Sequence, residues 1–182
     1  MNVHDLDSWI AKTITQFSST KINKLAPGAF ACQSSLVNVN IPNVTVLPRF
    51  AFYQCSLLST LTTGALTVLQ GDCLCGCSAL SNLDLTHVTE ISAYAICGCN
   101  ALTSLDLSGL QYLYWAGVWN AYGKVWLPST CNIRGSNFNH EGNGNGIIYT
   151  DATEKPSNWV DGWNQTNYPV IWGATHEDFL NA

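Results

Sequence analysis

A repeat of about 22 residues runs through the middle of this chain without insertion or deletion. Its columns are Leu36, Leu58, Leu80 and Leu102; Val39, Leu61, Leu83, Leu105 and Leu127; Val44, Leu66, Val88 and Leu110; Leu47, Leu69, Ile91 and Leu113; and Cys55, Cys77 and Cys99. Apolar residues that return at one spacing in several columns belong to stacked coils, each of which buries its neighbour's inner face. The repeat therefore predicts a solenoid.

Each repeat contains one segment with the periodicity of a strand. In the stretches 78–85 and 100–107, leucines recur at intervals of three and then two, so the second half alternates inward and outward. A turn-like stretch follows, and then a compact segment that is typical of a single helical or irregular turn. We expect an α/β-type, leucine-rich-repeat-like solenoid, a right-handed stack of about five coils with a parallel strand ladder and an aromatic C-terminal cap.

Four segments of the repeat carry a family resemblance. They read GAFACQSSL, FAFYQCSLL, DCLCGCSAL and AICGCNAL. This pattern resembles the aromatic, Cys and Leu signature of the BspA-like (Treponema-type) leucine-rich repeats, and the segment GIIYTDATEKPSNWVDGWNQTNYPVIWG is similar to the closing module of many such proteins. The resemblance spans roughly residues 14–173, with two kinds of departure: Gln33 stands at the Cys position of the first copy, and Leu74, Ile96 and Val118 replace the aromatic.

The columns and the tail divide the chain into four parts. Residues 1–13 are predicted to form an N-terminal helix or cap, with Trp9 and Ile10 on its buried side, and residues 14–135 the leucine-rich repeat solenoid. Residues 136–173 form a C-terminal capping module, and residues 174–182 a tail with little reason to be ordered alone.

Composition limits the partners of the chain. Charged residues make up only 10% of the sequence, and the net charge is −5, so no basic patch is available to hold a phosphate backbone. No run of 18 apolar residues predicts a membrane span, and the N-terminus shows no secretory signal pattern. We expect neither nucleic-acid binding nor membrane insertion.

Eight cysteines raise the question of a disulfide or a metal site. In a stacked solenoid Cys75 lies over Cys97, and Cys77 over Cys99, about 5 Å apart, close enough for either. However, no histidine accompanies the Cys-x-Cys spacing, and free cysteine is among the most buried residue types. We favour buried structural thiols over disulfides, and disulfides over a metal, and we predict no metal site and no cofactor.

Catalytic patterns are weak. The four histidines are scattered along the chain, and no nucleophile elbow, phosphate loop or zinc-protease motif occurs. Asp84 and Asp106 form a vertical pair, which could be a glycosidase pair or a calcium contact, but repeat geometry alone explains their spacing. We therefore predict a protein that is not an enzyme.

Function is then expected on surfaces. The outward strand positions predict a flat face of short hydrogen-bonding side chains, suited to protein or glycan recognition or else simply solvated. Tryptophans concentrate near the C-terminus, where most are expected to pack in the cap and any exposed ones to anchor a partner. The candidate binding residues are Asn38, Asn40, Thr60, Thr62, Asn82, Asp84, Ser104, Asp106, Trp126, Trp159 and Trp163.

Two functional classes fit these observations. Proteins with this repeat and tail but no export signal resemble structural proteins of phages that infect gut bacteria, which favours a virion-associated module that binds virion subunits and host-surface or mucosal ligands. The alternative is a bacterial cell-surface adhesin of the BspA-like kind that binds host proteins. The resemblance implies protein partners in both cases, with glycans as a further class.

Overall fold

The computed structural model describes residues 14–119, 123–138, 146–165 and 168–182. The predicted N-terminal helix with Trp9 and Ile10 lies outside these residues. Within them the chain winds into stacked parallel coils, which confirms the predicted solenoid. The strands are β1 (Gln16–Ser18), β2 (Asn38–Ile41), β3 (Val46–Leu47), β4 (Thr60–Thr63), β5 (Val68–Leu69), β6 (Glu90–Ile91), β7 (Ser104–Asp106), β8 (Tyr112–Tyr114), β9 (Lys124–Trp126), β10 (Asn132–Arg134), β11 (Ile147–Thr150) and β12 (Val170–Trp172).

The first strand ladder follows the predicted columns. β1, β2 and β4 form one parallel sheet, and β7, β9, β11 and β12 form another. The pairing aligns Val39 with Leu61 in the first sheet and Leu105 with Val125 in the second, so the inward apolar residues lie over one another. Because β11 and β12 belong to the closing segment, that segment continues the stack past the five coils that the columns predicted.

The first ladder is interrupted between its two sheets. Residues 81–84 occupy the strand position of the intervening coil, but they form no strand. No backbone–backbone hydrogen bond joins these four residues to either neighbouring coil, in a stretch where the structure describes every residue. Asp84 and Asp106 fall at equivalent positions of adjacent coils, and the repulsion of two like charges disfavours the pairing of residues 81–84 with β7. Leu83 is accordingly only partly buried.

A second ladder runs along the stretch that the sequence presented as a turn. β3, β5, β6, β8 and β10 pair in parallel in the order of the coils. The inward residues Leu47, Leu69, Ile91 and Leu113 are fully buried. Strands as short as β5 and β6 cannot show an alternating pattern, so they leave no strand signal in the sequence.

The third side of each coil is an irregular turn rather than a helix. The turns hydrogen-bond from coil to coil, for example from Phe52 N to Cys73 O (2.7 Å) and from Leu74 N to Ala95 O (2.8 Å). Phe50, Asp72 and Tyr94 share one column and adopt left-handed backbone angles, with φ between 57° and 60°. Such angles are uncommon for residues other than glycine, so the stacked neighbours hold these turns in place.

The fifth repeat is shorter than the columns indicated. Ser104 pairs with Lys124 and Leu105 with Val125, whereas the repeat predicted Trp126 and Leu127 as their partners. Leu127 therefore does not continue the column of Leu105, although it is fully buried.

Residues 174–182, which were expected to have little reason to be ordered alone, are ordered by packing against the rest of the chain. The helix α1 (His176–Leu180) begins after Thr175, which forms a capping box with Asp178. Phe179 is 1% exposed and packs with Trp126 and Ala174 against the outer side of the first ladder. The Thr175-x-x-Asp178 spacing of the capping box is the trace that this helix leaves in the sequence, because its single buried aromatic gives no periodic signal.

Candidate functional site

The outward face of the first sheet is open. Asn40, Thr60 and Thr62 are exposed and Asn38 is half-buried, while Val39 between them is buried. An open depression of about 420 Å³ lies on this face and is lined by Gln16, Phe17, Ser18, Asn38, Val39, Asn40, Thr60 and Thr62. We call this surface the strand face. It presents uncharged donors and acceptors on a rigid support, as the sequence predicted for these four candidates.

Asn82 and Asp84 lie in the interrupted stretch and do not extend the strand face as sheet residues. Both are exposed. The Asp84 carboxylate accepts hydrogen bonds from the Thr86 backbone N–H (3.0 Å) and from the Thr86 hydroxyl (2.6 Å). These two bonds hold the pKa of Asp84 below its ordinary value. Asp84 thus closes a local turn.

The C-terminal helix α1 covers the outer side of the sheet that β7, β9, β11 and β12 form. The His176 Nε2 and Asp106 Oδ2 atoms are 2.7 Å apart. Lys124 Nζ donates to the Phe179 carbonyl oxygen at 2.6 Å and lies 4.8 Å from the Phe179 ring centroid. Asp106 is therefore engaged within the chain instead of joining Asp84 in a carboxylate pair. Ser104, which begins the same strand, stays exposed.

The three tryptophans among the candidate binding residues, Trp126, Trp159 and Trp163, are all buried. Trp126 is 6% exposed because α1 lies over it, and Trp159 and Trp163 are 1% and 6% exposed because they close the end of the core. The Trp159 indole N–H donates to the Cys131 carbonyl oxygen at 3.0 Å, so its polar atom is also satisfied within the chain. These three side chains stabilise the cap.

An exposed aromatic cluster lies instead on the turn side of the solenoid. Trp115 is 47% exposed, and its ring meets Tyr94 edge to face at a centroid distance of 4.9 Å. Trp119 completes the group at 6.2 Å from Trp115. We call Tyr94, Trp115 and Trp119 the turn-side aromatic cluster. The sequence groups both tryptophans with the cap, because an irregular turn does not reveal which of its side chains point outward.

Most of the cysteines are buried in the core. The thiols of Cys55, Cys77 and Cys99 donate to the carbonyl oxygens of Phe30, Phe52 and Leu74, in the preceding coil, at 3.0 to 3.2 Å. Burial raises the pKa of Cys55 and of Cys99 to about 12. The burial of this column agrees with its prediction as structural cysteines. All eight thiols are free, and Cys75 and Cys97 differ from the column because both are only half-buried.

The described ranges hold no group of three or more His, Cys, Asp or Glu side chains that could bind a metal ion. In the same part of the chain, no helix is long and apolar enough to cross a membrane.

Comparison with known proteins places the chain in a family. The model of the BspA type leucine rich repeat region matches residues 10–114 in 6 copies. The match covers more than half of the chain, which therefore belongs to this family. No curated protein and no solved structure matches the chain.

Proposed function

We propose that this member of the BspA type leucine rich repeat family is a protein-binding, adhesin-like module without catalytic activity. The observation that carries the proposal is the turn-side aromatic cluster. Trp and Tyr dominate the centres of protein interfaces, because they bury large areas at little cost in side-chain entropy. The left-handed turn at Tyr94 presents its ring beside Trp115 on a backbone fixed by the neighbouring coils.

The strand face is a second candidate contact surface. Its open depression favours this role, and its exposed side chains Asn40, Thr60 and Thr62 carry no charge that would repel a partner. The strand face lies on a different side of the coil from Trp115, so single substitutions can separate the two surfaces.

Binding to a panel of purified host matrix proteins and mucin-type glycans tests the proposal. We expect binding to at least one matrix protein, with the Trp115→Ala variant weaker by roughly 30-fold or more, the loss typical of an interface hot spot. The matched variant Trp172→Ala removes another exposed indole, at the far end of the stack, and should bind as the parent does.

Loss of binding in Thr62→Lys but not in Trp115→Ala would assign the contact to the strand face. Binding to glycans alone would contradict the protein-binding proposal, and so would binding to no member of the panel. Release of sugar or peptide products in the same panel would contradict the absence of catalysis.

Where the module is located, on the bacterial cell surface or on a virion, is a separate question. Family membership favours the bacterial cell surface, whereas the virion assignment rests on the resemblance drawn from the sequence. Proteomics of purified phage particles and of washed cell envelopes from the source organism would distinguish these locations. Recovery in particles would support the virion, and recovery in envelopes the adhesin.

A further inference from the structure

We propose that Cys75 and Cys97 form a thiol–disulfide exchange site, which a small disulfide such as oxidised glutathione converts into one bond between two neighbouring coils. The site is independent of the binding function proposed above. It is defined by two half-buried cysteines in equivalent positions of adjacent turns.

The turn column sets the register of the two cysteines. Gln54 N donates to Cys75 O at 2.7 Å, and Gly76 N donates to Cys97 O at 2.8 Å, so each coil lies directly over the next. Backbones joined in this way are about 4.8 Å apart, which falls within the Cα separations that disulfides accept. Because equivalent residues of stacked turns point the same way, the two half-buried thiols lie side by side, and each perturbs the pKa of the other.

The two thiols have different roles in the exchange. Interaction with Cys75 lowers the pKa of Cys97, and interaction with Cys97 raises the pKa of Cys75. In the proposed exchange, Cys97 attacks as the thiolate and Cys75 resolves the mixed disulfide. The exposed sides of both residues give a small disulfide access.

The reaction balances with the disulfide as oxidant. The Cys97 thiolate attacks one sulfur of oxidised glutathione, the glutathione S–S bond breaks, and one glutathione leaves with the proton that Cys97 had released. Cys75 then loses its proton and attacks Cys97 Sγ in the mixed disulfide, and the second glutathione leaves and takes up that proton. Two electrons and two protons pass from the pair to the disulfide.

Four further cysteines are unsuited to this exchange. Cys55, Cys77 and Cys99 donate their thiols to carbonyl oxygens, and Cys73 is fully buried beside Cys75. The pair also has a structural consequence that the others lack. The chain between Cys75 and Cys97 contains residues 81–84, which form no backbone–backbone hydrogen bonds to the neighbouring coils. A bond between the two cysteines closes this one coil.

Peptide mapping after oxidation tests the proposal. The reduced, folded protein is incubated with excess oxidised glutathione, the free thiols are alkylated, and the peptides are mapped without reductant. We expect a Cys75–Cys97 link, and the melting temperature should rise by about 5 to 10 °C, as a loop of this size predicts. Cleavage by chymotrypsin at Leu83 should slow at the same time.

Three variants make the result specific. Cys75→Ser should retain glutathione on Cys97, because no resolving thiol remains, and Cys97→Ser should react more slowly at Cys75. Cys73→Ser is the matched control and should form the same link as the parent. Glutathione retained on both Cys75 and Cys97 of the parent would overturn the proposal. It would also be overturned if both remained fully alkylated, or if Cys97 of Cys75→Ser formed a disulfide with another cysteine instead of retaining glutathione.

Discussion

Replacement of Leu105 by Ala should destabilise the protein far more than replacement of Leu83, although the two residues share one column of the repeat. Leu105 is 2% exposed and lies in β7, whose pairing with β9 holds the surrounding coils in place. Its removal leaves an enclosed cavity, so the free energy of unfolding should fall by about 3 kcal/mol. Leu83 is partly buried in the interrupted stretch. Its replacement should cost about 1 kcal/mol, since only part of its surface leaves water and no closed cavity remains.

Urea denaturation followed by circular dichroism measures the difference. With a slope of about 2 to 3 kcal/mol per molar urea, Leu105→Ala should lower the midpoint by roughly 1 M, and Leu83→Ala by less than half of that. Ser104→Ala and Asn82→Ala are the matched outward controls and should change stability by less than about 0.5 kcal/mol. If Leu83→Ala cost as much as Leu105→Ala, residues 81–84 would pack as firmly as a paired strand, and the interruption would have no energetic meaning.

Three other outcomes are expected. Phe179→Ala should release α1 and increase the acrylamide quenching of Trp126 fluorescence. Leu180→Ala, at an exposed position of the same helix, should leave the quenching unchanged. Unchanged quenching in both variants would contradict the packing of α1. Hydrogen bonds from Thr175 lower the pKa of Asp178. The capping box should therefore be intact above the ordinary carboxyl pKa of about 4, and it should be lost as the pH falls through the lowered pKa of Asp178. Amide hydrogen exchange in α1 across this pH range measures the loss. Burial raises the pKa of several core thiols, to about 12 for Cys99. The stability that the protonated thiols contribute should be complete below the unfolded thiol pKa of about 8.5, and it should be lost as the pH rises toward the pKa of the folded state. Urea midpoints measured across this pH range should decline less steeply in Cys99→Ala than in the parent.

The repeat predicted the features that depend on packing between coils. Inward residues such as Val39, Leu61 and Leu105 must match their neighbours in every coil, so the sequence carries a periodic signal for them. The outward positions Asn40 and Thr62 followed from the alternation along each strand. These constraints act at every level of the stack and can therefore be recognised in the sequence.

The remaining features depend on single residues or on local deletions. The shortened fifth repeat was hidden because Leu127 supplies a leucine at the expected spacing, although Val125 is the true partner of Leu105. The exposure of Trp115 could not be predicted, because side-chain directions in an irregular turn follow its backbone angles rather than a period. The burial of Trp126 depends on α1, whose docking rests mainly on Phe179.

The interrupted first ladder has a mechanical consequence. When a solenoid is pulled from its two ends, tension passes from coil to coil through the backbone hydrogen bonds on each side. At residues 81–84 only the second ladder and the turn column transmit this tension, because the first ladder supplies no bonds. The stack should therefore bend at this level, opening on the side of the first ladder, before either sheet separates. A protein held at one end and bound at the other would absorb a sudden pull by this reversible bending.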